Sequence, residues 1–157
     1  MSRVVLQVVD PRWDDPELTT LAHACAKRAI QGHGSERANL RLTCDAEMRT
    51  LNRSWRRVDR PTNVLSFPQE DTVSPDEANP ELGDVAIGFE TTEREARERG
   101  LPLSHHLAHL AVHGMLHLVG FRHDTDPSAQ CMENLERSML ADFGIGDPYR
   151  HRGTASQ

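Results

Sequence analysis

The chain has 157 residues, which suits one domain built on a single core. Its 27% charged and 37% hydrophobic residues are ordinary for a water-soluble protein, and no apolar run approaches the roughly 20 residues of a membrane span. A net charge of −6 excludes a protein that is basic throughout, but it leaves room for a local basic patch that binds nucleic acid. The N-terminus reaches Asp10 and Pro11 too soon to hold the apolar core of a signal peptide, so the expected location is the cytoplasm, away from membranes. Cys25, Cys44 and Cys131 are odd in number, widely spaced and form no CxxC pair; each is expected to be a small buried hydrophobe.

Along the chain, residues 3–9 are rich in β-branched side chains and predict a strand that ends at Asp10 and Pro11. Residues 16–30 carry Leu18, Leu21, Ala22, Cys25, Ala29 and Ile30 at helical spacing, closed by Gly32 and Gly34. Residues 39–44 alternate as a second strand. Asp45 is the expected N-cap of a short helix to about Trp55. Residues 63–67 predict a third strand, and the acidic, proline-containing stretch 69–81 a mobile loop. Residues 84–89 predict a fourth strand. Thr92 with Glu95 suggests a capping box for a helix ending at Gly100. A central helix covers 102–118, and a last helix starts with Asp126 as N-cap and Pro127 at the first helical position, ending near Asp142 and Gly144. The expected architecture is a single α+β domain over residues 1–150, with a small mixed four-stranded sheet and about five helices, followed by a disordered tail at 151–157.

The chemistry concentrates in His113-Gly114-Met115-Leu116-His117-Leu118-Val119-Gly120-Phe121-Arg122-His123. Positions i and i+4 of a helix share one face, so His113 and His117 can converge on one ion. Gly120 falls where the helix should stop, and the reversed chain brings His123 back to the same face. Three imidazoles suit a single transition-metal ion, best zinc, and the absence of a fourth protein ligand leaves a position open for water, as in a catalytic site. The bland reading is chance, since the chain has nine histidines. A lone i,i+4 pair would not exceed chance; the pair, the glycine break and the third histidine together do. A helical run of His105, His109, His113 and His117 spreads too far to surround one ion, given a rise of about 1.5 Å per residue. His109 is therefore expected to pack beside the ligands or hydrogen-bond to them, and His105 and His106 to lie on the surface.

This spacing on a zincin-like metal helix is also that of metzincin proteases, which place a glutamate base directly after the first histidine. Here that position is Gly114, so the peptide-cleaving base is missing. Arg49, Arg53, Arg56, Arg57 and Arg60 fall within twelve residues, four of them at roughly helical spacing. For most of these a solvated helix face paired with carboxylates is the simpler reading, yet a basic stripe beside an activated water suits a phosphodiester.

Three blocks then resemble the YbeY family of bacterial rRNA maturation factors. They are Leu51-Asn52 with Arg56, Asp59 and Pro61-Thr62-Asn63-Val64-Leu65-Ser66-Phe67-Pro68; Leu82-Gly83-Asp84-Val85; and the histidine block, with Asp147-Pro148-Tyr149 near the C-terminus. The resemblance implies one Zn2+ on His113, His117 and His123 in a single-strand-specific endoribonuclease. It implies a role in 16S rRNA 3′-end maturation and ribosome quality control, with single-stranded RNA, the 16S rRNA precursor, the small ribosomal subunit and assembly factors as partners. It singles out Arg56 as the functional arginine, stabilising phosphate charge. Arg122 is a departure, because the family usually has Asp before its third histidine. Two rivals remain at this stage: a different metallohydrolase such as a peptidase, and a ribosome-assembly factor whose zinc is mainly structural.

Overall fold

The computed structural model describes residues 3–32, 37–69 and 81–150. In chain order these form β1 (Arg3–Val8), a single 3-10 turn (Pro11–Trp13), α1 (Pro16–Ile30), β2 (Arg37–Thr43), α2 (Asp45–Arg56), β3 (Val64–Pro68), β4 (Glu81–Gly88), α3 (Phe89–Arg99), α4 (Leu103–Leu118) and α5 (Asp126–Ala141). The α+β architecture matches the pattern of periodicities. Of the expected loop at 69–81, residues 70–80 lie outside the described residues and Glu81 already belongs to β4, which starts three residues before the expected Asp84; the expected tail at 151–157 also lies outside the described residues.

The sheet order is β1-β2-β4-β3. β1, β2 and β4 run parallel, while β3 pairs antiparallel with β4 and forms an edge. Side chains alternate between the two faces of the sheet. Leu40, Leu42, Val85 and Ile87 point into the large core shared with α1 and α4. Leu65 and Ala86 point the other way, into a small cluster with Met48 of α2, against which Leu51 and Phe67 pack. α2 thus covers one face near the edge, and α1 and α4 cover the other.

α4 is the spine of the domain. Eleven of its sixteen residues are buried, because it packs against α1, α3, α5 and the sheet at once. Such a helix must be apolar nearly all round, so its histidines stand out. Gly114 sets its distance from the sheet: a Cβ there would lie 2.6 Å from Cγ1 of Val85 and 3.3 Å from Oγ of Ser66. Ser66 Oγ also donates to the Gly114 carbonyl at 2.9 Å, tying the edge strand to the helix one residue from His113.

Three expected helix starts shift. Cys44, not Asp45, occupies the N-cap of α2. Asp45 instead accepts from Thr91 N at 3.1 Å and Thr91 Oγ1 at 2.7 Å, while Glu90 accepts from Asp45 N at 3.0 Å. α2 and α3 thereby cap each other's exposed N–H groups across space, which a local capping rule does not anticipate. The Thr92–Glu95 box does not form, because α3 starts at Phe89 and Thr92 sits inside it, donating to the Gly88 carbonyl at 2.6 Å. α5 is capped by Thr125, whose side chain forms a true capping box with Ser128, so Asp126 is already helical.

Candidate metal centre

α4 presents His106, His109, His113 and His117 along one stripe. The chain leaves the helix through Gly120, whose φ of +106° lies in the region that suits glycine, and returns with His123. The ring centroid of His123 lies 4.8 Å from that of His117 and 5.4 Å from that of His113. One ring nitrogen from each of His113, His117 and His123 falls within a mutual 4.8 Å, so the structure brings the predicted triplet together.

Hydrogen bonds set the tautomers. The Nδ1 of His117 faces the Phe121 carbonyl at 2.9 Å, an acceptor only, so Nδ1 carries the proton and Nε2 the lone pair. The Nδ1 of His113 faces Oε2 of Glu136 at 3.2 Å, and the same logic applies. In the neutral rings the two Nε2 atoms then face each other with their lone pairs, 3.2 Å apart. A cation between them resolves the conflict. Tetrahedral zinc with Zn–N bonds of about 2.0–2.1 Å separates neighbouring nitrogens by about 3.4 Å, so the donor set fits such an ion. Burial, aided by the charge of neighbouring His113, lowers the His117 pKa to about 4, which keeps its lone pair available well below neutrality.

Glu136 was not anticipated from the sequence. It is fully buried on α5 and accepts from His109 Nε2 at 2.7 Å, His113 Nδ1 at 3.2 Å and the Tyr149 hydroxyl at 2.6 Å. Burial pushes its pKa up, but the hydrogen bonds from His109 and His113 outweigh that and bring it down to about 2. The sequence did carry a signal: Glu136 stands four residues from both Met132 and Leu140 on the buried stripe of an otherwise amphipathic helix. Asp147 holds the terminal turn by accepting from Tyr149 N at 2.8 Å and Arg137 Nε at 3.0 Å. Tyr149 thereby lines the cleft bounded by His113, His123 and Glu136.

The other candidates sort as follows. His109 faces Glu136, as a residue beside the ligands should, and burial lowers its pKa despite that carboxylate. His106 is only 2% exposed and bonds Glu95 at 2.9 Å, so it is no surface residue; helix α3, which covers it, was invisible to periodicity on α4 alone. His105 is half-buried. Cys25 is buried as expected, but Cys44 is half-buried and Cys131 exposed. Arg122 is exposed beside His123. Of the arginine stripe, Arg49 pairs with Asp59 at 2.8 Å and Arg53 reaches the same carboxylate at 4.0 Å. Arg56 instead lines a cleft of about 480 Å³ with Arg60 and Arg94. That cleft shares no lining residue with the cleft of about 440 Å³ bounded by His113, His123, Glu133, Glu136 and Tyr149.

A family model described as Endoribonuclease YbeY matches residues 12–144. The chain belongs to the YbeY endoribonuclease family. Endoribonuclease YbeY of Rhodopseudomonas palustris (strain BisA53) is 55% identical over 118 residues, covering 74% of this chain and 69% of that protein. The namesake from Bradyrhizobium sp. (strain BTAi1 / ATCC BAA-1182) is 44% identical over 155 residues, covering 94% and 92%. The solution structure of TM1509 from Thermotoga maritima superposes with a TM-score of 0.53 at 23% identity over 91% of each chain, a likeness of fold. In this chain the position after the first histidine is pressed onto the sheet, since a Cβ at Gly114 would meet Val85 and Ser66. A glutamate base has no room there, which gives a steric reason for the missing protease residue.

Proposed function

We propose that this YbeY-family chain is a zinc-dependent, single-strand-specific endoribonuclease acting in 16S rRNA 3′-end maturation and ribosome quality control, in the cytoplasm. No described helix is long and apolar enough to cross a membrane, which is compatible with that location. We read residues 1–150 as one nuclease domain, whose partners are the 16S rRNA precursor, the small ribosomal subunit and its assembly factors. The observation that carries the metal reading is the pair of facing Nε2 lone pairs on His113 and His117, closed by His123.

In this mechanism one divalent ion would polarise a phosphoryl oxygen and acidify a water. His113, His117 and His123 would hold it. Glu136 orients His113 by accepting its Nδ1 proton, and the Phe121 carbonyl orients His117. Arg56 has no carboxylate partner among the described residues, which leaves its guanidinium available to neutralise substrate phosphate.

The test is cleavage of matched single-stranded RNA, duplex RNA and peptide substrates, with the product ends identified. The account expects cleavage of single-stranded RNA alone. A 2′,3′-cyclic phosphate product would replace water by the RNA 2′-hydroxyl as nucleophile, and peptide cleavage without RNA cleavage would reject the nuclease reading.

A further inference from the structure

We propose that Trp55 is a stacking platform for an unpaired base of the RNA, set beside the arginine cleft that takes the backbone; this rests on the RNA reading above. Among the described residues, Trp55 is the most exposed large hydrophobic side chain, at 70%. The next, Val9, stands at 40%. A single exposed apolar side chain is ordinary on a protein surface; what marks Trp55 is that an exposed indole stands beside arginines.

The indole is held rather than loose. It lies in the last turn of α2, and its ring centroid is 5.5 Å from that of Phe67 at an interplanar angle of 53°. Leu51, one turn earlier, packs into the small cluster with Phe67, Met48 and Leu65. Asn52 anchors the following loop by donating to the Arg60 carbonyl at 2.9 Å. The indole therefore rests against Phe67, while most of the side chain faces solvent.

The surroundings select the ligand. Arg56 and Arg57 follow directly, Arg57 turning the chain with a φ of 59°, and Arg56 lines the cleft with Arg60 and Arg94. Neither Arg56, Arg57 nor Arg60 has an ion-pair partner among the described residues. An apolar protein partner gains nothing from unpaired guanidinium groups around its contact. A single strand presents what this surface lacks, a flat π-face next to phosphates. Duplex RNA keeps its bases stacked inside and cannot use the indole. Phe67 adjoins Ser66 on the edge strand, and Ser66, on the opposite face of β3, bonds the carbonyl of Gly114, the neighbour of His113. A strand passing over the β3 edge would join the two clefts.

The chain reports on this itself. It has two tryptophans, and the other, Trp13, is fully buried with its Nε1 donating to the Thr43 carbonyl at 2.8 Å. The metal-loaded full chain is titrated with a short 2′-O-methyl single-stranded oligoribonucleotide, following tryptophan emission and, in parallel, anisotropy of the labelled strand. Wild type should show saturable quenching. Trp55→Ala should lose the quenching and bind about 5- to 150-fold more weakly with an unchanged salt slope, from about 1–3 kcal/mol per stacked base. Trp55→Phe should recover most of the affinity, and a duplex of the same sequence should not quench. If the strand binds Trp55→Ala as tightly as wild type, or wild-type emission does not respond while anisotropy shows binding, the platform is rejected and the RNA reading stands. If wild type binds no single strand at all, both fall.

Discussion

The Nδ1 of His113 faces Oε2 of Glu136, 3.2 Å away on another helix, and leaves Nε2 facing the Nε2 of His117 at 3.2 Å. Glu136 is fully buried and held low in pKa, to about 2, because hydrogen bonds from His109 and His113 outweigh the cost of burial. A carboxylate that fixes a ligand's tautomer also raises its basicity. Glu136→Gln should fold and weaken zinc binding by roughly 10–100-fold, measured by competition with a chromogenic chelator. Unchanged affinity would mean that Glu136 only fills space. A stoichiometry of two ions per chain would instead place an ion on the His109–His113–Glu136 group, which also clusters donor atoms within 4.8 Å.

Acid should act on the metal-free protein in two windows. Burial chiefly, and the charge of His113, lower His117 to about 4 from 6.5, so the unfolded chain takes up that proton first. Between pH 6.5 and 4 the unfolded state binds more protons, and stability falls as pH falls. Glu136 is lowered to about 2 from 4.5, so its contribution is present above pH 4.5 and is lost between 4.5 and 2. Urea midpoints at a series of pH values should decline across both windows. Glu136→Gln should flatten the lower one. A midpoint independent of pH from 7 to 4 would contradict the assigned environments.

Gly114 offers a test of sign. Glycine to alanine in a helix interior normally stabilises by about 1 kcal/mol. Here the added Cβ would meet Cγ1 of Val85 at 2.6 Å, so Gly114→Ala should destabilise by about 1–3 kcal/mol as α4 is pushed from the sheet. Paired with Val85→Ala, its cost should be smaller than the sum of the single changes. Additive costs would show that the contact does not set the helix position.

Arg56 should separate function from folding. It is exposed, and no ion pair or hydrogen bond holds it among the described residues. Arg56→Glu should change stability by no more than about 0.5 kcal/mol while RNA cleavage is largely lost. Retained cleavage would show that Arg56 is not needed for it; the assembly-factor reading predicts instead that RNA processing is intact in Arg56→Glu and that His117→Ala unfolds the chain.

The sequence made the local features legible and missed those formed across distance. The β-branched run at β1, the apolar spacing of α1 and the i,i+4 histidines before Gly120 each depend on neighbours within a few residues, and the structure follows them. The start of α3 was misplaced because its N-terminal donors are satisfied by Asp45, forty-six residues from Thr91. His106 was misjudged because burial by α3 is a property of packing. Glu136 went unnoticed because its partners, His109, His113 and Tyr149, come from two other parts of the chain. The link of Arg56 to the metal came from a pattern of residues; in space it lines a different cleft.

The most direct measurement is the metal content of the purified chain by elemental analysis, joined to cleavage of single-stranded RNA with and without chelator. The account predicts one zinc per chain, loss of cleavage when it is removed and recovery when it is restored. A metal-free protein with full nuclease activity would contradict it.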